Sequence, residues 1–170
     1  MTTIVMKQGT NKVEVAFDSK VSDGRTYSEL VEPKVAEVNG MWFGVAGRLR
    51  VLNAVHHMDL NPPAKDVKGE ELTKWVHRVL VPKLRQTIHE SIPEGAWHSE
   101  SNILAVVNKT VYLIESDYCV MQMKDGIYAI GSGSDHAKSA LKFGASVKEA
   151  VKFAGQEDIW SGYTIKTLTI

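Results

Sequence analysis

The sequence predicts an α+β fold, a four-layer α–β–β–α sandwich of two antiparallel sheets packed together, each covered on its outer face by a pair of helices. Two observations carry this. The chain reads as blocks in the order strands, two helices, strands, two helices, strand. Two-residue turn signals between neighbouring strands, foremost Asn39-Gly40, tie them into antiparallel hairpins. A simpler α+β layout fits the same periodicity. At 170 residues, 44% of them hydrophobic, the chain suits one domain spanning 1–170 with a full core.

Taken in order, Thr3–Gln8 reads as a strand and Lys12–Ser19 as its hairpin partner across Gly9-Thr10-Asn11. Val13, Val15 and Phe17 alternate with Glu14, Ala16 and Asp18, which predicts one buried face. A turn-rich segment, Ser22-Asp23-Gly24-Arg25, follows. Pro33–Val38 and Met41–Val45 are the next strands. From Gly47 the pattern is helical, with Leu49, Leu52 and Val55 on one side, and it stops before Asn61-Pro62-Pro63. Glu70–His89 is a second helical stretch that places Leu72, Trp75, Val76 and Val79 together; Pro82 within it predicts a kink or break. Ser91–Glu100 reads as a loop in which Trp97 packs locally.

Strands then resume at Ile103–Val107, Thr110–Glu115, Tyr118–Met123 and Gly126–Ile130, with turns at Asn108-Lys109 and Lys124-Asp125. Gly131-Ser132-Gly133 ends the last of these. Ser134–Phe143 is helical, with Ala137, Ala140 and Leu141 on its packed side. Ser146 caps a further helix, Val147–Glu157, in which Glu149 completes a capping box. Tyr163–Ile170 is a final strand. No repeat or low-complexity segment interrupts the pattern.

Twenty basic residues balance twenty acidic ones, which argues against a nucleic-acid partner, because neutralising phosphates requires a basic excess. No apolar stretch reaches the length of a membrane span, and no basic segment followed by an apolar one opens the chain, so no membrane partner is expected. The single cysteine, Cys119, excludes an intrachain disulfide and makes the cytoplasm the default compartment. Within Tyr118-Cys119-Val120-Met121 it reads as a buried structural thiol. His56, His57 and His77 fall on helices without a second ligand pair at metal spacing, so they read as helix-surface residues and no zinc site is assigned.

The stretch that carries chemistry is Met1-Thr2-Thr3-Ile4-Val5. Removal of Met1 gives Thr2 a free α-amino group at the start of a strand. One residue then holds both the nucleophilic hydroxyl and a base that titrates at roughly 7.7–8.0. Any targeting segment would have to be cut immediately before Thr2.

Six short segments, in order, resemble the proteasome-type N-terminal nucleophile hydrolases, and within that group the bacterial HslV type. They are Thr2-Thr3-Ile4-Val5, Phe17-Asp18-Ser19-Lys20, Pro33-Lys34-Val35, Gly44-Val45-Ala46-Gly47, Tyr128-Ala129-Ile130-Gly131-Ser132-Gly133 and Asp158-Ile159-Trp160-Ser161-Gly162. The resemblance runs from Thr2 to the end of the chain. It implies the N-terminal nucleophile hydrolase fold and a threonine endopeptidase with Thr2 as nucleophile. Lys34 would tune its hydroxyl and amine, Asp18 would hold Lys34 charged, and the Gly47 N–H would stabilise the oxyanion. Ser132, Asp158 and Ser161 would support the amine, and Val21, Ser22, Val45 and Leu49 would line the substrate channel.

The same resemblance implies no cofactor for the chemistry, but a structural cation on the carbonyls of Gly155, Asp158 and Ser161. As partners it implies copies of this chain in a ring or double ring, an AAA+ unfoldase, and unfolded protein or peptide substrates. Departures from the pattern are Arg48, where relatives carry a small residue, and the Asp59–Lys68 insert. Two other readings stay open: a non-catalytic ring or scaffold component that retains Met1, and an amidase of the same fold acting on a small amide.

Overall fold

A computed structural model describes residues 2–22, 25–91 and 101–170 of the chain. Its centre is two facing antiparallel sheets. The first contains β1 (Ile4–Gln8), β2 (Val13–Asp18), β10 (Ile127–Ile130) and β11 (Ile165–Thr169) in the order β10-β1-β2-β11. The second contains β5 (Val35–Val38), β6 (Met41–Ala46), β7 (Asn102–Val107), β8 (Thr110–Ile114) and β9 (Val120–Met121) in chain order. Between the sheets, Ile4, Met6, Val15 and Phe17 meet Leu104, Val106, Val111 and Leu113, all buried. Helices α4 (Ser134–Lys142) and α5 (Val147–Glu157) cover the first sheet; α1 (Leu49–His56), α2 (Gly69–Trp75) and α3 (Val81–Ser91) cover the second. This is the four-layer sandwich that the element order predicts.

Both faces of β1 and β2 are buried, not one. Val5 and Ala16 pack outward against Ala137, Ala150 and Ala154, whose small side chains let α4 and α5 sit close to the sheet. Asp18, at the end of β2, is fully buried. The predicted capping box forms at Ser146 and Glu149, a device that contributes about 1 kcal/mol to such a helix. Asn39-Gly40 and Asn108-Lys109 turn with positive φ at both residues, the geometry that matches the twist of flanking strands.

Of the kink or break expected at Pro82, no break occurs: α2, a π-helical turn at Val76–Leu80, and α3 run on as one helical stretch. Three other expectations are corrected. The buried stripe is Leu72, Val76, Leu80, Leu84 and Ile88, while Val79 is exposed. Each four-residue step of that stripe overshoots an α-helical turn by about 40°; the wider π turn brings it back towards the sheet, just ahead of the proline that lacks an N–H. The strand expected at Tyr118–Met123 shrinks to Val120–Met121, because Tyr118 adopts φ +68° and the Glu115 N–H closes a turn onto the Cys119 carbonyl. Cys119 is therefore exposed rather than buried.

Short strands not expected from the sequence flank the turn-rich stretch after β2, β3 (Lys20–Ser22) pairing with β4 (Tyr27–Glu29) in a small hairpin. Asp23 and Gly24 of the predicted turn lie outside the described residues, as do Met1 and residues 92–100 of the predicted loop, with Trp97. His56 is half-buried. Burial lowers its pKa below 6.5, partly opposed by its hydrogen bond, in which the neutral ring donates from Nε2 to the Phe43 carbonyl (3.2 Å).

Candidate active site

Register places the site residues. Ile4 pairs with Phe17 on β2 and with Ile130 on β10. Continuing both ladders past the strand end sets Thr3 against Asp18 and Thr2 against Ser132. In the other sheet Ala46 pairs with Asn102, so the next pair is Gly47 with Ser101. Thr2, Asp18, Gly47 and Ser132 thus gather where the two sheets open at one edge.

A buried ion pair borders the cavity that Thr2 lines. Lys34 Nζ donates to Asp18 Oδ1 at 2.9 Å, with the two side chains 2% and 0% exposed, and it also donates to the Lys20 carbonyl. Asp18 accepts two further bonds, from Thr3 N–H at 2.8 Å and from Gly162 N–H at 3.0 Å. One carboxylate thereby ties the first strand and the final turn to Lys34. Burial lowers the Lys34 ammonium below its ordinary 10.5, against the upward pull of the Asp18 charge and hydrogen bond. Lys34 itself lies one residue ahead of β5, not on a strand.

Beside Thr2 runs a hydroxyl chain. Ser132 Oγ and Ser161 Oγ both donate to Asp158 Oδ2 at 2.6 Å, and Thr3 Oγ1 and Ser161 Oγ lie 2.6 Å apart in a further bond. Burial raises the Asp158 carboxyl, but the bonds from Ser132, Ser161 and the Trp160 N–H outweigh it, and the group titrates below its ordinary 3.8. Stability held by that depression is present above pH 3.8 and is lost as the pH falls through the folded pKa. Ser161→Ala removes one donor. We expect its acid-unfolding midpoint to move to higher pH and its stability at pH 7 to drop by about 1 kcal/mol, read from urea denaturation across a pH series. An unchanged acid limb would contradict this.

Two glycines are fixed by close approach. Gly131 has φ +95°, and a Cβ there would stand 1.9 Å from the Thr2 carbonyl oxygen. Gly47 has φ +139°, and a Cβ there would stand 2.2 Å from Ser101 Oγ. That same hydroxyl accepts the Arg48 N–H at 3.1 Å and fixes the turn into α1. The helix begins at Leu49, so Gly47 is a strand-to-helix turn residue rather than a helical one.

Thr2, 5% exposed, lines two cavities. The first, of about 560 Å³, is walled by Val21 and Ser22 of β3, Val45 of β6, and Leu49 and Leu52 of α1, with Lys34 and Gly47 at its lining. All four residues expected in the substrate channel are there. The second, of about 680 Å³, lies towards Ser132 and Lys138.

Gly155, Asp158 and Ser161 surround the C-terminal end of α5. The Asp158 carbonyl already accepts the Ser161 N–H at 3.1 Å. An oxygen-only set at the negative end of a helix dipole suits a hard cation.

Sequence reading missed Thr3 and Ser101 as parts of the site. Thr3 stands beside Thr2 in the quoted motif, so its complete burial was within reach of the pattern. Ser101 carries no local signal; only strand pairing brings it to Gly47.

No protein-family model and no curated protein sequence matches the chain. Among solved structures, eukaryotic HslV from Trypanosoma brucei superposes with a TM-score of 0.68 at 19% identity, covering 99% of this chain and 98% of that one. BPH of Thiobacillus denitrificans, in complex with epoxomicin, gives 0.76 at 15% identity over 99% and 98%. BPH without it gives 0.74 at 17% over 99% and 97%. The chain has the fold of these proteins, the N-terminal nucleophile hydrolase fold.

Proposed function

We propose that the protein is a threonine-type endopeptidase that hydrolyses peptide bonds of unfolded proteins after Met1 is removed. The observation that carries this reading is that Thr2 lines one cavity with Lys34, which is buried against Asp18, and a second with Ser132, whose hydroxyl belongs to the Asp158–Ser161 chain. Thr2 Oγ1 attacks the scissile carbonyl carbon while the Thr2 amine takes the hydroxyl proton. The Gly47 N–H holds the resulting oxyanion. Collapse of the tetrahedral intermediate breaks the C–N bond, and the Thr2 ammonium returns the proton to the departing amine. Water then attacks the ester through the same amine, and Thr2 is regenerated.

Lys34 acts here as a fixed positive field. It favours the neutral amine and the developing alkoxide, and Asp18 sets its position. A cation on the Gly155, Asp158 and Ser161 carbonyls is structural in this reading and takes no part in the chemistry. An exposed cleft of this kind would be hazardous in the cytoplasm, the compartment proposed for the protein. The reading therefore includes a ring or double ring of copies of this one-domain chain, with an AAA+ unfoldase as the partner that feeds it unfolded substrate.

Intact mass tests the premise. The native protein is expected to lack Met1 and to gain one epoxomicin adduct, the ligand of the BPH complex, mapped to Thr2. Quantitative retention of Met1 would make the Thr2 nitrogen a peptide amide, unable to act as base, and would reject the reading in favour of a non-catalytic ring component.

A further inference from the structure

We propose that the second cavity beside Thr2 receives the amine-side half of the substrate and selects charged residues there, a basic side chain against Glu115 and an acidic one against Lys138. The inference rests on the endopeptidase reading. A peptide attacked at its carbonyl must leave the nucleophile in two directions. The cavity walled by Val21, Val45, Leu49 and Leu52 is the apolar one and takes the acyl half. The cavity on the other side of Thr2 is continuous with the same nucleophile and shares Gly47 and Arg48 with the first.

Its composition differs in kind. The floor is apolar, built from Ala46, Leu113 and Ile130 at the ends of β6, β8 and β10. The rim carries a carboxylate from the loop after β8 and an ammonium from α4. These charges do not satisfy each other. Among the described residues the ion pairs join Lys12 to Glu14, Lys34 to Asp18, and Lys74 to Glu70 and Glu71. Neither the Glu115 nor the Lys138 side chain has a hydrogen-bond partner among them.

The two walls are also polarised. Carboxylate oxygens of Glu115 and Asp117 lie within 4.8 Å of each other, which concentrates negative charge on the β8 side. Lys138 faces the cavity from the helical side. Unpaired charges of opposite sign on different elements, at the mouth of a cleft with an apolar floor, act more strongly on a bound peptide than they would on a flat surface. They select by differential attraction, and Arg48, common to both cavities, does not discriminate between them.

The test uses the mature protein and peptides with Leu before the cut and Arg, Glu or Ala at each of the first two positions after it. At one or both positions, kcat/KM for Arg and for Glu is expected to exceed that for Ala by about threefold to tenfold. Glu115→Gln should lower the Arg-to-Ala ratio alone, and Lys138→Ala the Glu-to-Ala ratio alone. Glu115→Lys should abolish the preference for Arg over Ala and raise that for Glu. Equal cleavage of all the peptides by the unaltered protein, or ratios that none of the three substitutions moves, would overturn the proposal. Failure to cut any of them, with no difference from Thr2→Ala, would overturn the endopeptidase reading instead.

Discussion

Thr2→Ala is expected to lower peptide hydrolysis by on the order of 10⁴-fold or more while leaving the fold in place. In the proposed mechanism the alanine keeps the α-amine but loses the oxygen that would carry the acyl group, which leaves Lys34 and Gly47 no transition state to stabilise. The folded state loses little. Thr2 lies ahead of β1, its hydroxyl is not part of the Thr3–Ser161–Asp158 chain, and the core begins at Ile4. Turnover of a fluorogenic peptide, read beside the thermal midpoint of the same sample, separates the two effects. Thr2→Ser, which restores a hydroxyl on the same atom, should recover a measurable part of the rate. Full activity in Thr2→Ala would remove the mechanism.

The second large effect is expected at Asp18. Asp18→Asn keeps the size of the side chain and one acceptor oxygen but removes the charge facing a lysine that is 2% exposed. Breaking a buried pair from one side costs about 3–5 kcal/mol, because the remaining charge is left uncompensated. The pH dependence has a definite sign. Burial sets the folded pKa of Lys34 below its ordinary 10.5. Between those two values the unfolded chain still holds the proton that the folded one has released, so stability rises with pH across that window. In Asp18→Asn the ammonium loses its counter-charge and the window opens at lower pH. The deficit of the variant relative to the unaltered protein should therefore shrink as the pH rises towards 10.5. Urea denaturation at several pH values reads it. A deficit independent of pH would mean that the lost counter-charge of Lys34 is not the cause, and that the loss comes from the Thr3 and Gly162 N–H bonds.

These expectations start from features that differ in how far they can be read along the chain. The strand at Val13–Asp18 was legible because alternation survives in one dimension. Its second buried face was not, since Ala16 gives no hydrophobic signal and becomes core only when α5 lies across it. How the helix passes Pro82 was only partly legible, for a related reason. A proline predicts its own local cost, whereas the π turn that absorbs it depends on which stripe the sheet requires to be buried. The hairpin at Lys20–Ser22 and Tyr27–Glu29 hides among turn-forming residues and exists as a wall of the first cavity.

By itself the sequence determined the order of elements and singled out Thr2, Asp18 and Lys34 as a candidate set, because periodicity, turn chemistry and motif order are properties of neighbours along the chain. Tertiary structure alone decided that the elements stack in four layers rather than in a simpler layout, that Lys34 is desolvated against Asp18, that Ser101 meets Gly47, and that Thr2 stands between an apolar cavity and a charged one. Each of those facts depends on distances between residues tens of positions apart. Only the pairing of strands and the packing of two sheets set such distances.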